Sequence, residues 1–261
     1  MNIWVLIVLC VVQGLTEFLP VSSSGHLLFF EQVFGISEDQ MFLNLFLHIA
    51  TLFAVVIVYR KIIWDLIKKP FQSYTFKLLI ATVFSVLLAF GYKFSGMDNI
   101  VTKIYPFGFL ATSILLFACH LFQKRAVYVS VNELTTKQSV LVGLVQGLAV
   151  VPGLSRSGST ISSLILSGSD EKKASEFSFL LSIPIIVGGF VLELLEINKS
   201  SFILQDFSLI SYIFAFLLTF AVSIFALKLT IRFLKKQRFI VFSIYTFLMF
   251  VVTFTFNYLI F

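Results

Sequence analysis

Ionisable side chains are scarce inside the apolar segments of this chain, and five of them stand out: Glu17, His26, His48, His120 and Arg156. A glutamate or arginine at the centre of a membrane helix costs about 2.5–3.5 kcal/mol, so such residues are functional candidates by default. Histidines inside apolar segments are often structural, and we interpret His48 and His120 in that way. The chemistry of the chain is therefore expected to rest on Glu17, His26 and Arg156.

Two runs of small residues accompany these candidates: Ser22-Ser23-Ser24-Gly25 and Ser155-Arg156-Ser157-Gly158. Each run leads into a short predicted helix, whose first N–H groups and positive dipole end attract an anion, and glycine lets the backbone approach that anion closely. Arg156 adds a planar guanidinium that can bind two phosphate oxygens at once. The predicted phosphate-binding residues are Ser22, Ser24, Gly25, Ser155, Arg156, Ser157 and Gly158.

Glu17 indicates that this predicted site is catalytic rather than a store for phosphate. A carboxylate repels phosphate unless it holds a proton or a metal ion. A serine beside a possible base and an imidazole is the arrangement used for nucleophilic phosphoryl transfer. We therefore predict that Glu17, His26 and Arg156 act in catalysis together with a serine of the run at residues 22–24.

The composition places these residues in a membrane protein. The chain has 261 residues, of which 59% are hydrophobic and 12% charged, and its mean hydropathy is +1.01. A soluble domain carries about 25% charged residues, so this chain cannot cover a water-facing surface. The formal charge of +6 comes from basic clusters between apolar runs, which is typical of membrane loops and predicts no nucleic-acid partner. Cys10 and Cys119 lie in apolar runs and indicate neither a disulfide framework nor a metal site.

A membrane-crossing helix needs about 20 mostly apolar residues. Six stretches meet this requirement: residues 41–59, 77–92, 104–122, 177–197, 207–227 and 239–261. Residues 3–12 and 140–151 are apolar but too short to cross, and each precedes one of the small-residue turns. We interpret both regions as re-entrant helical hairpins, because irregular backbone at membrane depth must be buried in protein or line a cavity. The predicted fold is an all-α polytopic membrane protein with six spanning helices and two re-entrant hairpins. No basic residue precedes the first apolar run, so we expect that run to stay in the fold rather than act as a signal peptide.

The two hairpins are copies of one another. A shift of 133 residues aligns Gln13-Gly14-Leu15 with Gln146-Gly147-Leu148 and gives 12 identities over the 47 positions from 12 to 58. Three predicted spans separate the copies, and an odd number gives them opposite orientations. This predicts an inverted-topology repeat, which places a site near the membrane midplane where broken helices meet. The chain would form a single membrane domain, 1–261, with repeat one at about 1–125 and repeat two at about 139–261.

The basic residues predict how this layout is oriented. Of the 19 lysines and arginines, Lys93, Lys103 and Lys199 fall in loops on the side of the N-terminus, whereas all the others except Arg156 fall on the opposite side. The more basic side of a membrane protein is cytoplasmic. We therefore expect both termini, and the hairpin at residues 22–26, on the outer side of the membrane.

At these residues the sequence resembles the undecaprenyl-diphosphate phosphatase family, the bacterial membrane enzymes linked to bacitracin resistance. The first family signature, (E/Q)-G-x-T-E-F-L-P-(I/V)-S-S-(S/T)-G-H, matches residues 13–26 throughout. The second, P-G-x-S-R-S-G-x-T, matches residues 152–160. Residues 177–184 are similar to the segment that follows in the family, so the resemblance covers essentially the whole chain.

The resemblance implies hydrolysis of a C55 isoprenyl diphosphate to the monophosphate in the bacterial cytoplasmic membrane, with phosphate released at the outer face. It also implies a divalent cation, Mg²⁺ or Ca²⁺, and a homodimer. Glu17 would be the acid/base or metal-linked carboxylate, Ser23 the nucleophile and Arg156 the phosphate clamp. His26 would be either a general acid/base or, in a competing assignment, the nucleophile itself. Gln13 stands where the family often has Glu, which shifts any metal or proton role from Gln13 to Glu17.

Two other functions fit parts of the pattern. Inverted repeats with broken helices also occur in transporters, so a lipid-phosphate transporter or flippase is the alternative to an enzyme. The other lipid phosphatase superfamily, related to phosphatidic acid phosphatases, needs an Arg-Pro pair and a histidine in its last motif. No arginine here precedes a proline, and Ser162 stands at the position of that histidine, so we set this possibility aside.

Overall fold

A computed structural model of the protein describes residues 2–36, 41–95, 98–122, 134–196 and 208–260, and every regular element within those ranges is a helix. The predicted all-α class is therefore confirmed. Several residues used in the predictions lie outside the described ranges. They are the N-terminal residue, the span ends at 197, 207 and 261, and Lys199. In chain order the helices are α1 (Ile3–Thr16), α2 (Ser23–Phe34), α3 (Met41–Val58), α4 (Arg60–Lys68), α5 (Ser73–Phe94), α6 (Asp98–Phe122), α7 (Thr136–Leu148), α8 (Arg156–Leu166), α9 (Glu171–Glu196), α10 (Leu209–Lys235) and α11 (Phe239–Thr255), and a π-helical turn, Phe256–Ile260, follows α11.

The long helices make the chain a multi-pass membrane protein. Within the described residues, five helices are long and apolar enough to cross a membrane, and a sixth span results if the bent pair Leu43–Val58 and Arg60–Lys68 is counted as one. That pair bends by 76° at the end of the span predicted over residues 41–59. The span predicted at 77–92 extends further at both ends as α5, of 22 residues. On α5, Leu79 and Leu87 are 55% and 62% exposed, as expected of side chains that face lipid.

The two predicted hairpins are pairs of short helices, α1 with α2 and α7 with α8. α1 and α2 have 14 and 12 residues, and α7 and α8 have 13 and 11. At a rise of about 1.5 Å per residue, each helix spans roughly 20 Å, well short of a hydrocarbon core of about 30 Å. Pro20 and Pro152 lie in the two turns. Proline lacks an N–H and disfavours a helical conformation of the residue before it, so neither apolar run continues as one long helix.

The packing of the hairpins repeats between the two halves of the chain. α1 packs on α10, and its counterpart α7 packs on α5. The Thr219 hydroxyl of α10 donates to the carbonyl of Cys10 at 3.4 Å, and the Ser85 hydroxyl of α5 donates to the carbonyl of Gly143 at 3.0 Å. A shift of 133 residues aligns Cys10 with Gly143, and a shift of 134 residues aligns Ser85 with Thr219. Each hairpin therefore packs on a long helix from the other half.

Helices α6 and α11 pack against each other at the centre of this arrangement. The Ser113 hydroxyl of α6 donates to the Ser243 carbonyl at 2.8 Å, and the Ser243 hydroxyl of α11 donates to the Ser113 carbonyl at 2.9 Å. Reciprocal contacts of this kind arise where two equivalent residues meet on an approximate two-fold axis. Ser113 and Ser243 thus make matching contacts across α6 and α11, at a separation of 130 residues.

Candidate active site

The turns of the two hairpins touch each other. A side chain added at Gly25 would place its Cβ 2.8 Å from the backbone of Gly153, in the turn before α8. The equivalent contact in the other direction joins Gly158 to Pro20, where an added Cβ would lie 3.2 Å from the proline ring. Gly153 also has a φ of +84°, a conformation that favours glycine. Both copies of the turn therefore need small residues at the point of contact.

The carboxylate of Glu17 lies at the centre of the polar contacts between the hairpins, and its side chain is only 4% exposed. Its Oε1 accepts a hydrogen bond from the guanidinium of Arg156. Its Oε2 accepts one from the Ser23 hydroxyl at 2.6 Å and one from the Gln13 amide at 3.1 Å. The structure thus brings together Glu17, Ser23 and Arg156, three of the four predicted catalytic residues. The guanidinium of Arg156 balances the charge of the buried carboxylate.

A cavity of about 780 Å³ opens beside this cluster, a volume within the usual range of ligand pockets. Its polar lining consists of Glu17, Ser22, Ser23, Ser24, Glu31, Gln32, Asn44, His48, Gln146 and the side chain of Arg156, which is 17% exposed. Much of the rest of its wall is apolar and is formed by Leu28, Ile36, Leu45, Ala149, Val150, Leu154, Ile185, Ile186 and Phe190. The cavity can therefore take a molecule with an anionic head and an apolar tail.

The predicted phosphate-binding residues divide into two groups. Ser24 and Arg156 line the cavity and are partly exposed, so both can reach a ligand. Ser22 also lines the cavity, but it is only 3% exposed and its hydroxyl caps α2 by accepting a hydrogen bond from the N–H of Gly25 at 3.3 Å. Gly25 and Gly158 lie instead in the contact between the two turns, where they allow the hairpins to approach.

Ser155 and Ser157 also act within the protein rather than at the cavity wall, and they are 1% and 2% exposed. The Ser155 hydroxyl caps α8 by accepting a hydrogen bond from the N–H of Gly158 at 3.0 Å. The Ser157 hydroxyl donates to the carbonyl of Leu19, in the opposite turn, at 3.1 Å. These two serines fix the turn that carries Arg156 and join it to the first hairpin.

His26, the fourth predicted catalytic residue, makes its hydrogen bonds away from Glu17 and Ser23. The side chain is 3% exposed. Its Nδ1 lies 2.7 Å from the carbonyl oxygen of Ser22, and its Nε2 lies 2.8 Å from the hydroxyl of Tyr245 in α11. Both ring nitrogens are therefore engaged within the protein.

Sequence reasoning placed His48 among the structural histidines, but the structure brings it to the site. Its Nε2 lies 3.7 Å from Glu17 Oε2, and the residue lines the cavity. Its Nδ1 lies 2.7 Å from the Asn44 carbonyl oxygen, one helical turn earlier, which directs Nε2 towards the carboxylate. The signal available in the sequence was the presence of an ionisable residue in an apolar helix directly after the first hairpin.

The donor atoms around Glu17 fit a divalent cation. Within the described residues, no three His, Cys, Asp or Glu side chains form a cluster that could hold a metal ion by themselves. Mg²⁺, however, commonly binds one or two carboxylates together with the phosphates of the substrate. Glu17 supplies a carboxylate, and the amide oxygens of Gln13 and Asn44 are buried without a hydrogen-bond partner among the described residues. Oxygen atoms of this kind suit Mg²⁺ or Ca²⁺.

Comparison with known proteins shows the family of the chain. The sequence profile of the bacitracin resistance protein BacA family matches residues 6–252, which include both hairpins. The chain belongs to the BacA family. Three relatives named undecaprenyl-diphosphatase illustrate how far the similarity extends along the chain. The protein of Carboxydothermus hydrogenoformans is 33% identical over 251 residues, or 95% of each chain.

Two further relatives show the same extent of similarity. The undecaprenyl-diphosphatase of Alkaliphilus metalliredigens is 35% identical over 263 residues, which cover 92% of this chain and 93% of the relative. That of Thermosipho africanus is 36% identical over 256 residues, covering 95% and 98%. The BacA match spans Glu17, Ser23 and Arg156 and also Tyr245, so the whole site lies within the family domain.

Proposed function

We propose that this BacA-family protein hydrolyses undecaprenyl diphosphate to undecaprenyl phosphate and inorganic phosphate. This reaction would recycle the lipid carrier of cell-wall synthesis and give resistance to bacitracin. The observation that carries the proposal is the hydrogen bond of 2.6 Å between Ser23 Oγ and Glu17 Oε2, with Arg156 on the other carboxylate oxygen. A serine, a base and an anion-binding guanidinium meet in the polar lining of a largely apolar cavity.

Ser23 is the nucleophile in this mechanism. Its Oγ forms a bond to the terminal phosphorus while the bond from that phosphorus to the bridging oxygen breaks, and undecaprenyl phosphate leaves with the bonding electrons. Glu17 takes the hydroxyl proton through the existing hydrogen bond and passes it to the leaving phosphate. A positioned general base contributes typically about 10²–10⁴-fold in rate.

Water completes the reaction in a second displacement. The water oxygen forms a bond to phosphorus, the bond to Ser23 Oγ breaks, and Glu17 transfers a proton from the water to the departing Oγ. Inorganic phosphate and free Ser23 are the products. Arg156 stabilises the charge that develops on the phosphoryl oxygens in both steps, and it does so without reorganisation because the turn already holds it in place.

The proposal includes a divalent cation because carboxylate and amide oxygen atoms at the site suit one. Glu17 would hold the cation jointly with the diphosphate. The amide oxygen of Gln13, whose amide nitrogen donates to Glu17, and that of Asn44 in the cavity wall are further oxygen donors. When bound, the cation would offset the negative charge of the diphosphate. Arg156 and the N-terminal ends of α2 and α8 would bind and orient that group.

The lipid part of the substrate suits the apolar wall. Leu28 of α2, Leu45 of α3 and the α9 residues Ile185, Ile186 and Phe190 line the cavity. An isoprenyl chain is entirely apolar, so it would remain in contact with these residues and the hydrocarbon while the diphosphate reaches Arg156. The same arrangement would admit the substrate sideways from the membrane.

The placement in the membrane is also part of the proposal. The hairpins would dip into the cytoplasmic membrane of a bacterium from opposite faces, with both termini and the Ser23 turn at the outer side, and the protein would act as a homodimer. The duplicated packing of α1 on α10 and of α7 on α5 supports the inverted repeat. The distribution of basic residues supports the orientation.

Phosphate release from C55 isoprenyl diphosphate by the purified protein tests the function. We expect release in detergent, its loss with a chelator of divalent cations, and its loss in Ser23→Ala. His26→Ala tests the competing assignment of the nucleophile in the same assay. The alternative function, a lipid-phosphate transporter, predicts movement of lipid phosphate across a vesicle membrane without release of phosphate. Lipid movement without hydrolysis would replace the proposal with that alternative.

A further inference from the structure

The backbone of Ser22 is unusual for a residue with a side chain. Among the described residues, Ser22 and Gln237 are the non-glycine residues with positive φ, and Ser22 has φ 71° and ψ 97°. Residues other than glycine rarely adopt this conformation and keep it only where the surroundings hold it. Ser22 directly precedes Ser23, so its backbone sets the direction in which the Ser23 hydroxyl points.

The ring of His26 holds the carbonyl group of Ser22. Since a carbonyl oxygen only accepts, the contact of 2.7 Å identifies Nδ1 as the nitrogen that carries the proton. In the neutral ring, Nε2 then has a free lone pair, and it accepts a hydrogen bond from the Tyr245 hydroxyl at 2.8 Å. Phe109 packs edge-on against the ring, with centroids 5.2 Å apart, and prevents it from tilting.

Tyr245 belongs to α11, in the second half of the chain. It therefore holds the His26 ring from outside the hairpin that contains His26. The two rings are parallel to within 2°. Two hydrogen bonds thus connect Tyr245 through His26 to the carbonyl of Ser22, the residue next to Ser23. The Ser23 hydroxyl then meets Glu17 at 2.6 Å.

The duplicated hairpin provides an internal comparison. Ser155, the counterpart of Ser22, has an ordinary extended conformation, with φ −70° and ψ 116°. Ser159 stands where His26 would be, and Leu115 stands where Tyr245 would be under the shift that relates Ser113 to Ser243. Neither residue can form the ring-to-hydroxyl contact. The left-handed backbone, the imidazole and the contact to a tyrosine therefore occur together at the hairpin that carries the serine bonded to Glu17.

We propose that Tyr245, acting through His26, is a positioning residue for Ser23, an inference that rests on the proposed function of the site. The tyrosine hydroxyl fixes the tautomer and orientation of the imidazole, and the imidazole fixes the Ser22 carbonyl. The turn then directs Ser23 Oγ at the Glu17 carboxylate. In this role His26 is not the nucleophile, because the lone pair of Nε2 is bound to the Tyr245 hydroxyl.

A matched pair of tyrosine variants tests the proposal. Tyr245→Phe removes the hydroxyl that binds His26, whereas Tyr258→Phe removes one that donates to the carbonyl of Lys103 at 2.7 Å, beyond the end of α11. We expect Tyr245→Phe to lower kcat about tenfold with KM within about twofold, the scale of one lost hydrogen bond. Tyr258→Phe should keep wild-type kcat. Wild-type kcat in Tyr245→Phe, or an equal loss in both variants, would overturn the proposal.

Two variants of His26 provide a second test that does not depend on Tyr245. The amide nitrogen of asparagine can take the place of Nδ1, so His26→Asn should retain more activity than His26→Ala. Equal inactivity of both variants contradicts a positioning role. Nitrogen-15 spectra of labelled histidine should also show the Nδ1–H tautomer and a shift of the Nε2 signal in Tyr245→Phe; an unchanged Nε2 signal would overturn the contact. If wild-type protein releases no phosphate, the proposed function fails, and these spectra still test the inference.

Discussion

Glu17 and Arg156 form an ion pair between the two copies of the duplicated hairpin, although 139 positions separate them along the chain. The pair lies where the two turns touch, in the polar lining of the cavity. Neither hairpin alone contains both charges. Under the proposed function, the first hairpin supplies the serine and its base, and the second supplies the group that binds the phosphate.

Removal of either charge should stop the reaction. We expect Glu17→Gln to lower the rate by about 10²–10⁴-fold, because the base is lost. Arg156→Ala should abolish phosphate release, and Arg156→Lys should restore only part of it, since lysine lacks the planar fork. Arg60→Ala is the matched control: that arginine donates to the carbonyl of Ile57 on α3, away from the cavity, and its loss should leave the rate unchanged. Near-wild-type turnover in Glu17→Gln or Arg156→Ala would refute the assignment.

The ion pair between Glu17 and Arg156 should also affect the thermal stability of the protein. Arg156→Ala leaves the Glu17 carboxylate buried without its counter-charge, which typically costs about 3–5 kcal/mol. The double variant Glu17→Gln/Arg156→Ala removes both charges and should melt at a higher temperature than Arg156→Ala alone. Thermal unfolding of the purified variants in detergent measures this difference. A double variant less stable than Arg156→Ala would mean that the pair contributes no electrostatic coupling.

Close approach of the two turns should depend on the absence of a side chain at Gly25. In Gly25→Ala the added Cβ would lie 2.7 Å from the Phe109 ring and 2.8 Å from Gly153, so the turns must separate. We expect a lower melting temperature and a loss of activity, because Glu17 and Arg156 move apart. Gly91→Ala on α5 is the control, since nothing lies within 4 Å of a Cβ added there. Equal behaviour of the two variants would contradict the contact.

His48 should influence the reaction through its position beside Glu17. Its Nε2 is 3.7 Å from the carboxylate, at the cavity wall. We expect His48→Ala to reduce kcat about threefold to tenfold, in keeping with the loss of one polar neighbour of the base. His120→Ala, on α6, should leave kcat unchanged. Steady-state kinetics with the lipid diphosphate distinguish the two histidines. Wild-type kcat in His48→Ala would show that His48 has only a structural role.

The sequence carried enough information to indicate the membrane fold and the residues that meet at the site. Apolar length predicts the long helices, and Pro20 and Pro152 explain why the two short runs break. The 76° bend after α3 was not predicted, because hydropathy measures apolar length and not direction. The residue types likewise indicated that Glu17, a neighbouring serine and Arg156 would meet where the two hairpins touch, but not which of their atoms would pair.

Side-chain direction could not be read from residue type. Ser22 and Ser155 both cap the helix that follows them, whereas Ser24 lines the cavity and its counterpart Ser157 donates to the opposite turn. His48 approaches Glu17 because of the rotation of α3, which is fixed by packing between distant helices. The partner of His26, Tyr245, lies 219 residues away, and no local pattern points to it.

The position of the phosphate after one turnover tests the central claim most directly. Excess protein would be mixed with undecaprenyl diphosphate labelled in the terminal phosphate, quenched with detergent at neutral pH so that phosphohistidine also survives, and mapped by mass spectrometry. The mechanism predicts label on Ser23 and none in Ser23→Ala. Label on His26, or on any residue other than Ser23, would contradict it.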